Sequence, residues 1–229
     1  MSTSAAAPWP ETRRTVVRNA LGIGAATGAY GVSFGAISAA AGLSFWQTMA
    51  LSLLMFTGGS QFALVGVIAG GGSPLAGAAT AVMLGSRNAL YGLRLAPTLE
   101  ARGWRRFATA QLVIDESTAM AIGPDDQRTA RYAFYATGLS VFGLWNLGTA
   151  VGALGADALQ DPSVLGLDAA AAAAFVALLG PRLRGREPWA VAVVAALVAV
   201  VAVPLVPPGV PVLVAALVAV AAAYLPARP

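Results

Sequence analysis

The feature that most constrains this chain is a succession of apolar stretches, each close to the length of a bilayer-crossing helix, with hardly any charge between them. They run at about 20–42, 46–70, 74–97, 107–123, 132–155, 162–181, 188–206 and 208–225. At 1.5 Å per helical residue each approaches the roughly 30 Å hydrocarbon thickness. Turn chemistry marks the breaks: Gly70, Gly71, Gly72 and Pro74, then Arg102 to Arg106, Gly123 with Pro124, Pro162, Gly185 with Pro188, and Pro207, Pro208 and Pro211. Only 10% of the 229 residues are charged and 58% are hydrophobic, at a mean hydropathy of +0.73. A water-soluble globule would lack the polar residues to cover itself, so a soluble enzyme is excluded, and so is a disordered chain. The pattern predicts an all-α, polytopic transmembrane bundle of six to eight spans. It divides into a cytoplasmic tail at 1–18 and one membrane domain at 19–226.

Absences narrow the chemistry. With no His and no Cys there are no ligands for zinc, haem or iron–sulfur centres and no thiol chemistry. No metal and no cofactor is expected. The net charge of +4 comes from arginines in short clusters beside apolar runs, a distribution that sets membrane orientation rather than binding nucleic acid. GGGSPLAG lacks the Lys and Ser/Thr of a phosphate loop, so no nucleotide site is expected. Ser60 and Ser117 have no base to activate them, and no catalytic residue is assigned.

Charge placement exposes a conflict. Eight full crossings from a cytoplasmic start put Arg128, Arg131, Arg182, Arg184 and Arg186 inside, as the positive-inside rule asks, but Arg102, Arg105 and Arg106 outside. The conflict disappears if two segments return to the side they came from, and the ionisable groups point to 74–97 and 107–123 as that pair. Six full spans and two half-spans then serve. Broken or re-entrant helices are thus expected in the first half.

Those two segments hold Arg87 and Arg94, and Asp115 and Glu116. At about 2.5–3.5 kcal/mol each at a helix centre, four uncompensated charges are not expected. Arg87, Tyr91 and Arg94 share a helix face and can balance the two carboxylates around a wet cavity. The plainer alternatives are a purely structural ionic clamp and, for Arg94, snorkelling to a nearby surface. Elsewhere, Gly58 and Gly59 followed by Ser60 and Gln61 interrupt an apolar run. Such a sequence either kinks a helix or breaks it, freeing backbone groups to hold a solute. Gly24, Gly28, Gly31 and Gly35 form one small-residue face on the first span, and Gly148 with Gly152 repeats the spacing later.

In order, GVSFGAISAAAGLSFWQTMALSLLMFTGGSQFALVGVIAGG, LGSRNALYGLRLAP, VIDESTAMA, NLGTAVGALG and VLGLDAAAAAAFVALL resemble the AzlC family of branched-chain amino acid permeases or exporters, over about 18–225. The resemblance implies a proton-motive-force or gradient-driven carrier for branched-chain amino acids, working with a small four-span AzlD-type partner; it does not settle direction or substrate, and the expectation is an exporter in the cytoplasmic membrane. Thr57, Gly58, Gly59, Ser60, Gln61, Asn88 and Tyr91 are the candidate substrate-binding residues, and Arg87, Arg94, Asp115 and Glu116 the candidate coupling network. One departure matters. The family pattern places a His after the arginine where Asn88 stands here; if that His carries protons in relatives, this chain must use Asp115 or Glu116 or have no proton coupling through that motif. The competing class is a non-transporting scaffold subunit, which would carry its charges on loops.

Overall fold

The computed structural model describes residues 8–158, 176, 180, 183–207 and 210–224, and among these the chain forms nine helices and no strand. The apolar stretch at 162–181 lies outside the described residues apart from Val176 and Gly180. Two 32-residue helices frame the bundle, α1 (Trp9–Ala40) and α7 (Gln127–Ala158). Each is long and apolar enough to cross a membrane. Between them come α2 (Phe45–Leu54), α3 (Gly59–Ala69), α4 (Pro74–Leu99), α5 (Arg105–Gln111) and α6 (Asp115–Ile122). After them, α8 (Arg186–Ala202) and α9 (Val210–Ala223) pack on each other, and α9 touches α4.

α1 and α7 make the largest helix–helix interface among the described residues and run parallel, with the glycine face predicted on each set against the other. A methyl group added at Gly28 would lie 2.9 Å from the Leu144 carbonyl oxygen, one at Gly31 2.6 Å from that of Trp145, and one at Gly35 against Thr149. From the other side, Gly148 abuts Gly28 and Gly152 abuts Val32. Small residues permit this backbone approach, and larger ones would wedge the pair apart.

Contacts along α7 fix the direction of every element between the two. α2 descends from the carboxyl end of α1: the Ser52 hydroxyl donates to Thr149 Oγ1 at 3.1 Å, and Phe56, just beyond α2, meets the Phe142 ring at 5.0 Å. α3 then turns back. A methyl group at Gly77 of α4 would lie 3.1 Å from the Leu64 carbonyl oxygen, and one at Gly85 3.3 Å from Ser60 Oγ, so α3 and α4 are antiparallel. α4 itself ends beside the amino end of α7, where Arg131 Nε donates to the Thr98 carbonyl at 2.6 Å and Gln127 Nε2 to that of Pro97 at 3.2 Å. From there α5 climbs parallel to α7, with Thr109 and Tyr135 hydroxyls 2.9 Å apart. α6 descends again, and Ala121 and Ile122 return to the level of Ala130. α2–α3 and α5–α6 are therefore two helical hairpins. They enter the bundle from opposite ends and meet halfway.

This corrects the expected pair of re-entrant segments. The stretch 107–123 does fold back, at Leu112–Ile114, but 74–97 is one continuous helix and its partner in folding back is 46–70. The charges misled because Arg87 and Arg94 mark the neighbour of the hairpins. Arg102, Arg105 and Arg131 now line one groove, so the basic loop lies at the amino end of α1 and α7 and the charge conflict is gone. A smaller difference concerns the tail: α1 begins at Trp9, because Pro8 and Pro10 suit the helix start and Glu11 sits in its first turn.

Candidate functional site

Each hairpin tip is held by one polar side chain that serves both arms. At the first tip, Gln61 Oε1 accepts the Gly58 N–H at 3.0 Å while its Nε2 donates to the Leu51 carbonyl, also at 3.0 Å. At the second, Ser117 Oγ accepts the Ile114 N–H at 3.2 Å and donates to the Leu112 carbonyl at 2.6 Å. Each thereby satisfies an amide at a helix start and a carbonyl at the preceding helix end, groups that a buried break leaves without intrahelical partners. The chain reverses at the first tip through Gly58, at φ 61° and ψ −93°, a conformation that disfavours a side chain. Gln111, the last residue of α5, joins the two hairpins by donating from Nε2 to the Leu53 carbonyl at 2.8 Å.

The tips enclose a cavity of about 80 Å³, lined by Thr27 and Tyr30 from α1, Phe56 to Gly59 and Phe62 from the first hairpin, Arg87 from α4, Ile114 to Glu116 from the second hairpin, and Val141 and Trp145 from α7. At roughly 10–15 Å³ per water, it has room for a handful of waters. Helices α3 and α6 both begin at this cavity, and a helix amino end carries about half a positive charge. Their first turns differ. That of α6 contains Asp115 and Glu116, whereas that of α3 contains no acid.

Arg87 bridges the two. Its Nη2 lies 2.9 Å from Asp115 Oδ2, and a methyl group at Gly59 would sit 3.7 Å from the same nitrogen. The pair keeps 30% and 19% side-chain exposure, half-buried against the cavity. A guanidinium at a helix amino end is electrostatically unfavourable alone, and Asp115 offsets it. The cavity thus has an electropositive side at α3 and Arg87 and an acidic side at Asp115 and Glu116. Apolar walls connect them: Phe34, Phe62 and Trp145 form one aromatic cluster, with Phe34 stacked on Trp145 at 5.9 Å between centroids and edge-on to Phe62 at 5.5 Å.

Of the residues predicted from sequence, Thr57, Gly58, Gly59, Arg87, Asp115 and Glu116 come together here. Ser60 and Gln61 are buried behind the tip and do not line the cavity. Asn88 and Tyr91 are half-buried on α4 away from it, Tyr91 packing against the apolar core. Arg94 is exposed and lines a groove with Asp125 and Asp126, which matches snorkelling rather than the central network. The sequence reading missed Thr27, Tyr30, Phe56, Phe62, Ile114, Val141 and Trp145. Nothing in their spacing separates them from ordinary core residues. The available signal was Gly31, whose lack of a side chain admits the Trp145 backbone.

A bundle with two opposed helical hairpins meeting at a charged, partly apolar cavity has the build of a membrane protein that handles a small solute. A family model described as AzlC protein matches residues 22–159. The chain belongs to the AzlC family, which makes it a membrane protein connected with branched-chain amino acid transport. Neither a curated protein nor a solved structure matches it. The matched stretch starts in α1 and ends at the end of α7, so it contains both hairpins and the whole cavity lining.

Proposed function

We propose that the chain is the permease subunit of a secondary carrier that exports branched-chain amino acids across the cytoplasmic membrane, with its amino end in the cytoplasm and a small four-span AzlD-type protein as its partner. The observation that carries this reading is the Arg87–Asp115 pair set between the starts of α3 and α6. An aliphatic amino acid is a zwitterion with an apolar side chain. Its carboxylate matches the acid-free start of α3 beside Arg87, and its ammonium matches Glu116 and Asp115. Its side chain matches the walls of Phe56, Phe62 and Val141, where burial of a leucine side chain is worth about 1.5–3 kcal/mol.

In this mechanism the arriving solute competes for both halves of the ion pair. Its ammonium takes up Asp115 and its carboxylate takes up Arg87, so loading the site loosens the contact that joins α4 to the second hairpin. Movement of the hairpins against the rigid α1–α7 pair then exposes the cavity to one end of the bundle or the other. A proton on Asp115 would release Arg87 in the same way and couple transport to a proton gradient. The orientation rests on the arginines. Arg13, Arg128 and Arg131 lie with Arg102, Arg105 and Arg106 at one end of the bundle, the arrangement the positive-inside rule gives a cytoplasmic face.

The test is efflux of labelled leucine from vesicles containing the chain and its partner. Arg87→Gln and Asp115→Asn are expected to abolish efflux, and efflux at the unmodified rate in both would overturn the reading.

A further inference from the structure

Three side chains that line the cavity each carry a potential donor atom buried without a hydrogen-bond partner, and they come from three separate elements: Thr57 Oγ1 at the first tip, Arg87 Nε on α4 and Trp145 Nε1 on α7. Trp145 is the most telling of them, because its side chain is fixed. It is 5% exposed, its ring is stacked on Phe34, and its backbone is pressed against Gly31. An indole N–H can only donate, and a buried donor without an acceptor is a standing cost that packing does not repay. Phenylalanine would fill the same wall without that cost. The neighbouring Thr57 hydroxyl and Arg87 Nε–H can donate as well, so all three groups call for the same thing, an acceptor.

We propose that Trp145 is a specificity-determining residue whose indole N–H donates to the carboxylate of the transported solute, with the Thr57 hydroxyl as a second donor, so that the site selects amino acids over the corresponding amines. This rests on the carrier reading above and adds to it the group that is recognised. The acceptor side of the cavity is already provided by Asp115 and Glu116, which face the ammonium. A solute without a carboxylate satisfies them and leaves the Trp145 and Thr57 donors unpaired, and a site built to hydrogen-bond a group rejects the analogue that lacks it.

The experiment compares leucine with 3-methylbutylamine, which has the same side chain and ammonium but no carboxylate, as ligands of the purified full-length chain together with its partner in detergent. Trp145→Phe keeps the ring, and Thr57→Val keeps the shape. In each the Kd for leucine is expected to rise about tenfold, equivalent to 1.4 kcal/mol, while binding of the amine is unchanged. A general packing defect would weaken both ligands together. Unchanged leucine binding in both variants, or an equal loss for leucine and the amine, overturns the assignment of Trp145 and Thr57 while leaving the carrier reading standing. Failure of the unmodified chain with its partner to bind leucine at all overturns both. Should Trp145→Phe not fold, Thr57→Val decides by the same two ligands.

Discussion

The two hairpins solve one problem with different chemistry. Both reverse the chain in the middle of the bundle, and both close the tip with a side chain three residues beyond the first amide, Gln61 for Gly58 and Ser117 for Ile114. The first tip is neutral and turns through a glycine at positive φ. The second turns with Ile114 in an extended conformation at φ −130°, contains no positive-φ residue, and carries two carboxylates on the first turn of α6. The amino end of α3 is left open to an anion, while α6 fills its own. The cavity is polarised by the contrast between the tips, and the zwitterion site proposed above needs both.

The contrast can be broken most severely at Arg87. Arg87→Gln removes the 2.9 Å contact with Asp115, a pair that keeps 30% and 19% side-chain exposure, and is expected to cost about 1.5–3 kcal/mol in detergent unfolding. Arg87→Gln combined with Asp115→Asn should recover most of that stability without recovering transport. A double variant as unstable as the single one would remove the pair from the account.

A smaller loss follows at Gly58. Gly58→Ala forces a side chain into φ 61°, ψ −93° and is expected to cost on the order of 1–3 kcal/mol. Gln61→Leu probes the same tip through its hydrogen bonds. It strands the Gly58 amide and the Leu51 carbonyl, and unfolding should show a loss of about 1–3 kcal/mol, more than for Ser117→Ala in the shorter clasp of the second tip.

The smallest effect lies at the foot of the second hairpin, where Glu100 receives Arg131 at 2.7 Å. The Arg131 hydrogen bond, helped by Gln127, holds the Glu100 carboxyl below its ordinary value of 4.5. A lowered carboxylate pKa stabilises the folded chain above the unfolded value, and that contribution fades as pH falls through the lower folded value. Melting followed downward from pH 5 should therefore show a slight extra decline that Arg131→Gln removes. The foot of the first hairpin, at Gly70 to Ser73, has no such group.

How much was legible in the sequence divides along the same line. Helical class, the glycine faces of α1 and α7, and the break at Gly58 could all be read, because small residues and paired glycines have few other uses inside an apolar run. The second break could be read only through Asp115 and Glu116, since Leu112, Val113 and Ile114 look like uninterrupted apolar helix; it is Ser117 and the bulk of the bundle that hold them open. Direction was not legible. That 46–70 folds back while 74–97 runs straight depends on which neighbour each segment packs against, and Arg87 on the straight helix looked like a mark of interruption. Arg94, two turns further on, faces outward with Asp125 and Asp126, a placement that helical periodicity alone could not separate from that of Arg87. The aromatic wall was invisible for a similar reason, because Phe62 and Trp145 are ordinary core residues until the cavity gives them a surface to line.

The central claim is that both hairpins return to the side they enter from, and the absence of native cysteine makes it directly measurable. Single cysteines at Gly42, Gly72 and Arg102, labelled with a membrane-impermeant maleimide in intact cells and in inverted vesicles, report which side each loop faces. The account predicts that positions 42 and 72 react from one side, and that position 102 reacts from the other, together with a cysteine at Glu11. Position 72 reacting from the side of Glu11, with 102 on the side of 42, would mean that both segments cross, and the cavity built from their tips would not exist.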